Sequence, residues 1–238
     1  AKDSVKHMLD QGLRIKCVAI KAKEKMCLLE ERNCDPEVCP YAKGYYDKLR
    51  PALAHLLDHH DFMDAPLFQD YGKDYQICPF ELSLDASLSA DVIICDYNYV
   101  FDPRVYLKRF FTEAGEHLFL IDEAHNMVER GRSMYSAQLS ISMFQELYRF
   151  IDKDARTCRR QTRAMIKALE AQAVPCEESG YFSYLEPSTP LFNQLTKLEK
   201  ELDLYLQKEH EYNDEIKTIY FELLAFSRIA DFYDEHFI

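Results

Sequence analysis

Glycine, tryptophan and long apolar runs are scarce or missing in this 238-residue sequence. It has six Gly and no Trp, and charged residues make up 29% of it. Few Gly and many long charged side chains favour helices. No run of about 18 apolar residues is present, so we expect no membrane-spanning segment. With 47% hydrophobic residues, the chain can form one large core or two smaller ones.

An excess of positive charge is also missing, because the net charge is −12 at pH 7. This sign excludes a protein that coats nucleic acid with its whole surface, so any such contact must come from local basic clusters. The chain opens without an initiator Met or a signal peptide, and we expect an excerpt of a longer cytoplasmic protein. In a reducing compartment its eight Cys are better candidates for metal ligands than for disulfides.

Apolar patterning predicts a mainly α protein with a small α/β portion. Three short apolar runs are typical of buried parallel strands, at 15–20, 91–96 and 118–121. Helices are predicted over 41–60 and 105–111, whereas 62–76 is weakly patterned and is expected to be loop. From about Gln138 onward, apolar residues recur at helical spacing and predict a module of about four helices, with 175–190 as its most obvious loop.

An acidic box, Asp122-Glu123-Ala124-His125, follows the apolar run 118–121. Two acids at the end of a parallel strand suit nucleotide hydrolysis, because α/β folds bind ligands at that edge. Asp122 would hold Mg²⁺, Glu123 would polarise the attacking water, and His125 would link the nucleotide site to neighbouring motor elements. The alternative is an ordinary helix N-terminus, where Asp and Glu are favoured anyway.

A phosphate-binding loop of the form GxxxxGK[ST] is missing, since no Gly precedes Lys-Ser or Lys-Thr. Without that loop nothing cradles the phosphates of a nucleotide. Either the enzyme is degenerate or the chain is an excerpt whose loop lies upstream, and the abrupt ends favour the excerpt. We therefore expect no ATPase activity from this chain alone.

Four Cys lie in one polar, turn-rich region, at Cys27, Cys34, Cys39 and Cys78. Turns let thiolates converge on one point, and four thiolates suit Zn²⁺ or an iron–sulfur cluster. The spacing is not that of a CxxC knuckle, so scattered structural Cys are the alternative. Cys17 and Cys95 lie within apolar strands and are expected to be core thiols. No role is assigned to Cys158 and Cys176.

Two basic clusters are candidate nucleic-acid contacts. The first surrounds the Cys-rich region, and its members are Lys23, Lys25, Tyr45, Lys48 and Arg50. The second projects from one side of a predicted helix, at Arg156, Arg159, Arg160 and Arg163. Cations interleaved with aromatics can hold phosphates and stack bases. The alternatives are a solvated helix face for the second cluster and core packing of the Tyr residues for the first.

Five segments, read together, resemble the XPD/DinG family of superfamily 2 DNA helicases, most closely its bacterial XPD-like branch. These segments are KAKEKMC, CDPEVCPYAKGYYDK, ICPFELS, ADVIICDYNYVFDP and LFLIDEAHN. In that family an iron–sulfur domain is inserted into the first motor domain ahead of the DEAH box, and a helical arch follows the box. The resemblance covers essentially the whole chain, and it is specific in 21–135 and mainly positional in the arch.

The resemblance implies that Cys27, Cys34, Cys39 and Cys78 ligate a [4Fe-4S] cluster. It implies motor domain 1 in 1–22 and 83–137, the iron–sulfur domain in 23–82, and an incomplete arch in 138–238. It further implies a DNA-repair helicase of the bacterial cytoplasm and nucleoid that unwinds 5′ to 3′, with the cluster domain as a wedge. Its partners would be single-stranded and forked DNA, ATP with Mg²⁺, and the remaining motor domains of the parent protein.

Three other functions compete with this interpretation. One is a zinc- or cluster-stapled nucleic-acid-binding module without motor activity. Another is a nuclease, which would concern the parent protein because no acidic nuclease constellation is apparent in this sequence. The third is an RNA motor of the DEAH class, and the Cys-rich insertion before the box argues against it.

Overall fold

The computed structural model describes residues 1–111, 115–173, 180–181, 186, 188–208 and 214–234. The chain divides into two compact units, Ala1–Val100 with Tyr106–Leu120, and Phe101–Val105 with Ile121–Ile238. Each unit has its own hydrophobic core. None of the described helices is long and apolar enough to cross a bilayer. The finer division into motor, iron–sulfur and arch segments stays a prediction.

The first unit combines a small parallel sheet with short helices. Its elements are α1 (Lys2–Asp10), β1 (Cys17–Ala19), α2 (Lys23–Met26), α3 (Tyr45–His59), β2 (Phe62–Met63), α4 (Ala65–Tyr75), α5 (Pro79–Ser87), β3 (Val92–Ile94), α6 (Asn98–Phe101) and α7 (Lys108–Phe111). The three strands have the order β2-β1-β3 and all pairs are parallel. Parallel neighbours need long crossovers, which the intervening helices provide.

The central strand of this sheet is the most buried element of the first unit. All three residues of β1 are fully buried, as expected for a strand covered on both faces. Its register sets Val18 opposite Met63 on one side and Ile93 on the other. Lys16, just before the strand, donates from its backbone N–H to Asp91 at 2.7 Å and from Nζ to Asp61 at 2.9 Å. These contacts fix the start of β1 between its neighbours.

Predictions for the first unit are confirmed where apolar runs are short or strongly periodic. The run 15–20 contains β1, 91–96 contains β3, and 41–60 contains α3. Segment 62–76 is not loop, and that prediction was wrong, since it forms β2 and α4. In α4, Phe68 and Tyr71 are buried and Tyr75 packs against the same core. Burial of these aromatic side chains on one face of the helix outweighs the weak helix preference of Gly and of aromatic residues.

The prediction of a buried strand at 118–121 was wrong. The segment forms no regular element and pairs with no strand of the described residues, although β3 is at the edge of the sheet. Leu118 and Leu120 are 89% and 92% exposed. An apolar run becomes a buried strand only where another strand and a covering layer are available, and the described part of the chain provides neither here.

The second unit is dominated by four long helices, as the sequence predicts. After a 3₁₀ turn at Ala124–Asn126, its helices are α8 (Met127–Met134), α9 (Ile141–Phe150), α10 (Arg156–Ala173), α11 (Thr189–Lys208) and α12 (Asp214–Ala230). Helix α10 packs against α9 and α11, and α12 packs against α9 and α11. Phe144, Met165, Leu198 and Leu223 are fully buried between them. Most of the predicted loop 175–190 lies outside the described residues.

Candidate functional site

Four Cys that are far apart in the sequence line one cavity in the first unit. The cavity has a volume of about 230 Å³, several times the volume that one water molecule occupies in the liquid. The cysteines at its wall are the four predicted ligands, Cys27, Cys34, Cys39 and Cys78. The structure therefore places the whole predicted set around one cavity.

Different local structures position these four thiols. Cys27 immediately follows α2, and Cys78 immediately precedes α5 as its N-cap. Cys39 is buried, and its N–H donates to the carbonyl of Asp35 at 2.7 Å in a short turn. Cys34 lies on the same irregular segment and is exposed. Three thiols are thus partly or fully enclosed, while the fourth lies at the rim.

Two effects act on the pKa of the Cys78 thiol in opposite directions. Burial raises the pKa of its thiol, whereas the backbone N–H groups of Phe80 and Glu81 favour the thiolate. Such N–H groups at the start of a helix are a known way to stabilise a thiolate or another anion. The backbone N–H groups at the start of α5 therefore offset part of the cost of burying a thiolate at Cys78.

Cations at the cavity wall are paired with acids. Lys23 Nζ lies 3.2 Å from Glu81 Oε1. Burial opposes the charge of Lys23, but the hydrogen bond and charge of Glu81, with added attraction from Cys34 and Cys78, raise its pKa above the usual value. Glu81 thereby holds this amine beside the thiols in its charged form.

A second acidic residue at the cavity accepts hydrogen bonds from two neighbours. Asp85 Oδ2 accepts from the Tyr45 hydroxyl at 2.6 Å, and Asp85 Oδ1 accepts from Arg109 Nη1 at 2.7 Å. Burial and then the hydrogen bond to Asp85 raise the pKa of Tyr45. These three side chains form one network that joins α3, α5 and α7.

The described side chains do not form a preassembled metal site. Among the described residues, no three His, Cys, Asp or Glu side chains converge closely enough to hold one metal ion. The thiols of Cys17 and Cys95 lie elsewhere in the first unit, and burial raises the pKa of each. Burial also raises the pKa of Cys158 in the second unit, to about 12. Cys176 lies outside the described residues.

The acidic box lies at the start of the second unit and is open to solvent. Glu123 and His125 have side chains that are 69% and 71% exposed, with His125 Nδ1 3.3 Å from Glu123 Oε2. Asp122 accepts a hydrogen bond from the N–H of Glu123 at 3.0 Å. Glu123 has a φ of +52°, in the left-handed region that costs a non-Gly residue about 1 kcal/mol or more. The box forms a turn and a 3₁₀ helix rather than the end of a strand.

The first basic cluster is divided between engaged and exposed cations. Lys23 is paired at the cavity, and Lys48 Nζ donates to the carbonyls of Pro40 at 3.2 Å and Gln76 at 2.8 Å. The side chains of Lys25 and Arg50 are exposed. Tyr45 is half-buried against the core. The exposed pair thus remains available to a phosphate without the loss of an internal contact.

The second basic cluster is divided in the same way along α10. Arg159 Nη1 donates to the carbonyls of Tyr148 at 2.9 Å and Ile151 at 2.7 Å, and its guanidinium lies 3.9 Å from the Tyr148 ring centroid. Arg163 bonds the hydroxyl of the same Tyr. Arg156 and Arg160 are exposed, and within the described residues neither forms an ion pair.

A profile of the DEAD_2 family matches residues 9–144. The match covers more than half of the chain and includes all four cavity cysteines and the acidic box. The chain belongs to the DEAD_2 family. The basic face of α10 lies beyond the DEAD_2 match, so the family assignment carries no information about those arginines.

Of three curated relatives of this DEAD_2 chain, two are named as helicases. It is 27% identical over 141 residues to the regulator of telomere elongation helicase 1 homolog of Caenorhabditis elegans, covering 53% of the chain and 14% of the relative. It is 24% identical over 154 residues to the Fanconi anemia group J protein homolog of Gallus gallus, covering 60% and 12%. It is 26% identical over 125 residues to the ATP-dependent DNA helicase CHL1 of Saccharomyces cerevisiae, covering 52% and 13%. The matched segments thus span about an eighth of these relatives.

Three residues at or near the cysteine-lined cavity were not predicted from the sequence. Asp85 and Arg109 are 24 residues apart, and no pattern connects them. Gly72 in α4 lets two cysteine-bearing segments approach, because a Cβ there would lie 3.0 Å from Leu28 and from Pro79, the neighbours of Cys27 and Cys78. A Gly within the aromatic stripe of α4 was the one available signal for such a close approach.

Proposed function

We propose that this chain is part of an ATP-dependent DNA helicase in which four cysteines hold a [4Fe-4S] cluster. The supporting observation is that Cys27, Cys34, Cys39 and Cys78 line one cavity inside the DEAD_2 match. One relative named as a helicase and one named as an ATP-dependent DNA helicase support the class of enzyme. The bacterial XPD-like branch and a role in DNA repair belong to the same proposal.

An iron–sulfur cluster is preferred to a zinc ion because the sequence resembles a family that carries one. Among the described residues no group of three or more His, Cys, Asp or Glu side chains is placed to hold a metal ion, so the placement of the thiols does not itself favour either group. A cluster is larger than a single ion and takes one thiolate at each iron, which fits a cavity of about 230 Å³. The cysteines would bind it, and its contribution would be structural, as a staple that makes the domain a rigid wedge.

The acidic box would supply the residue that holds Mg²⁺ and the residue that orients the attacking water in the ATP site. Asp122 would hold Mg²⁺, Glu123 would orient and polarise the attacking water, and His125 would connect the site to other motor elements. No phosphate-binding loop occurs in these 238 residues, so the chain would contribute one part of the site and the remaining motor domains the rest. ATP turnover by this chain alone that disappears on Glu123→Gln would contradict this proposal.

DNA contact is assigned to the exposed cations of both basic clusters. Lys25 and Arg50 would touch single-stranded DNA beside the cluster domain, and Arg156 and Arg160 would touch it on the arch. The strand would be tracked 5′ to 3′ while the cluster domain parts a fork. Each phosphate contact adds to the salt dependence of binding, so replacing any of these residues by Met should lower the salt slope by about one.

Anaerobic loading with ferric iron, a thiol reductant and sulfide tests the cluster proposal. We expect a brown protein with broad absorption near 400 nm and about four irons per chain, the number a [4Fe-4S] cluster contains. A colourless protein that takes up one zinc instead would contradict it.

The second candidate is a nucleic-acid-binding module without motor activity. Its favouring observation is the exposure of Glu123 and His125, which is unlike an enclosed hydrolytic site. The two candidates separate on the complete parent protein, where Glu123→Gln should abolish DNA-stimulated ATP hydrolysis. Equal ATP turnover by the parent and its variant would favour the binding module.

A further inference from the structure

Lys48 connects two segments that carry cavity cysteines. It lies on α3, and its Nζ donates to the carbonyl of Pro40 at 3.2 Å and to the carbonyl of Gln76 at 2.8 Å. Pro40 directly follows Cys39, and Gln76 precedes Cys78 by two residues. One ammonium group therefore bridges the backbone beside two of the four thiols.

The two bridged segments have little regular structure of their own. Residues 27–44 form turns and bends, so the place of Cys39 depends on a few local bonds and on contacts with the rest of the unit. Gln76 has a φ of +50° at the end of α4, a costly conformation for a residue with a side chain. The charged donor Lys48 binds the carbonyl of this strained residue, and hydrogen bonds from charged groups are the stronger ones.

We propose that Lys48 is a positioning residue that sets Cys39 relative to Cys78, rather than a phosphate contact. The proposal rests on the proposed function, because it concerns the ligands of the cluster. Two of the three N–H groups of the ammonium are engaged with backbone, and a bound phosphate would have to compete with both carbonyls. Arg50, two residues later on the same helix and exposed, has no such bonds in the described structure.

Removal of the bridge should make a bound cluster labile. Residues that orient metal ligands change affinity by about 10- to 100-fold when they are lost. We therefore expect Lys48→Met, loaded anaerobically, to release its iron to a ferrous chelator at least about tenfold faster than the unmodified chain. Lys48→Arg should restore slow release, because its guanidinium can also donate to two acceptors. Arg50→Met removes one charge from the same helix and should release iron at the unmodified rate.

The electron paramagnetic resonance spectrum of the reduced cluster adds a readout that a general loss of stability would not move. A displaced Cys39 should change the line shape in Lys48→Met and leave it unchanged in Arg50→Met. Equal release rates and spectra for Lys48→Met and the unmodified chain would overturn the role of Lys48 alone. An unmodified chain that takes up no iron would overturn the cluster and, with it, this proposal.

A measurement without iron covers the case in which Lys48→Met does not load. In a chain carrying Cys27→Ser and Cys34→Ser, a short bifunctional maleimide should join Cys39 to Cys78, because both line one cavity. Adding Lys48→Met should slow this cross-linking severalfold, and adding Arg50→Met should not. Unchanged cross-linking with Lys48→Met would overturn the proposal, and far-ultraviolet circular dichroism would confirm that the variant is folded.

Discussion

The cysteine cavity and the acidic box differ in how they are assembled. The four Cys are spread over 52 positions, from Cys27 to Cys78, yet they line one cavity. The four box residues are adjacent in the sequence, yet Glu123 and His125 are largely exposed. Adjacency in the sequence therefore does not by itself bury a set of side chains, and packing can bring together residues that are distant in the sequence.

The physical difference lies in the neighbours of each group. Around the cavity, α3, α4 and α5 share one hydrophobic core, and ion pairs and backbone hydrogen bonds fix the loops between them. The apolar segment before the box pairs with no described strand and leaves Leu118 and Leu120 in solvent. Substitutions should therefore affect folding and metal retention at the cavity, and should leave stability nearly unchanged at the box.

The largest effect is expected from Cys78→Ser, which should remove almost all bound iron. A serine hydroxyl does not replace the thiolate that a cluster requires. The matched control is Cys158→Ala, because Cys158 is buried in the core of the second unit, whereas the cavity is lined by residues of the first unit. Iron and sulfide per chain, with absorption near 400 nm, are the measurements. Full iron retention in Cys78→Ser would break the comparison, since the cavity would not be the site.

A smaller effect is expected on the basic face of α10, where Arg159 has internal partners and Arg160 is exposed. Arg159→Ala removes charged hydrogen bonds to two carbonyls and a stacked contact on Tyr148. We expect it to lower the free energy of unfolding by about 2 kcal/mol. Arg160→Ala should change stability by less than about 0.5 kcal/mol, because the side chain is exposed. Urea unfolding would test this, and equal stabilities would show that Arg159 is only a surface cation.

Gly72→Ala should destabilise the chain by about 1–2 kcal/mol and speed the loss of iron. The added methyl would lie 3.0 Å from Leu28 and Pro79 and 3.1 Å from the carbonyl of Ile77, and such overpacking outweighs the better helix preference of Ala. Gly131→Ala is the matched control. It lies inside α8 with nothing within 4 Å of the added Cβ, so it should stabilise by up to about 1 kcal/mol. Thermal unfolding with the same sign for both would contradict the close approach at Gly72.

The smallest effect is expected from Glu123→Gln in this chain. Because the side chain is exposed, the free energy of unfolding should change by less than about 0.5 kcal/mol, and the iron content should not change. Urea unfolding and iron analysis of the same sample would check both. A loss of stability above that range would mean that the box is packed in solution and that the contrast with the cavity is smaller.

The sequence was sufficient wherever structure follows from local pattern. Apolar spacing predicted the four long helices of the second unit, and a short buried run predicted the central strand β1. The two errors have one cause, because both 62–76 and 118–121 depend on neighbours. Segment 62–76 forms a helix since Phe68 and Tyr71 find a core, and 118–121 fails to form a strand since the described residues offer it none.

The candidate site residues show the same difference between what local pattern predicts and what packing decides. The types and order of the cysteines and of the acidic box were readable from the sequence, and they predicted membership of a helicase family that the DEAD_2 match supports. That Lys23, Lys48 and Arg159 are occupied by internal partners was not readable. Their charges are those of their exposed neighbours Lys25, Arg50 and Arg160, and only a contact tells them apart.

By itself, then, the sequence determined the kinds of groups present, their order, and the helices that carry a regular apolar stripe. The tertiary structure decided that four distant thiols share a cavity, that Lys48 bridges two of their segments, and that an apolar run before the box stays in solvent. The physical reason is the distance along the chain over which each kind of interaction acts. Periodicity and residue type express preferences over one or two turns of chain, whereas a cavity and its hydrogen bonds arise from packing between segments tens of residues apart.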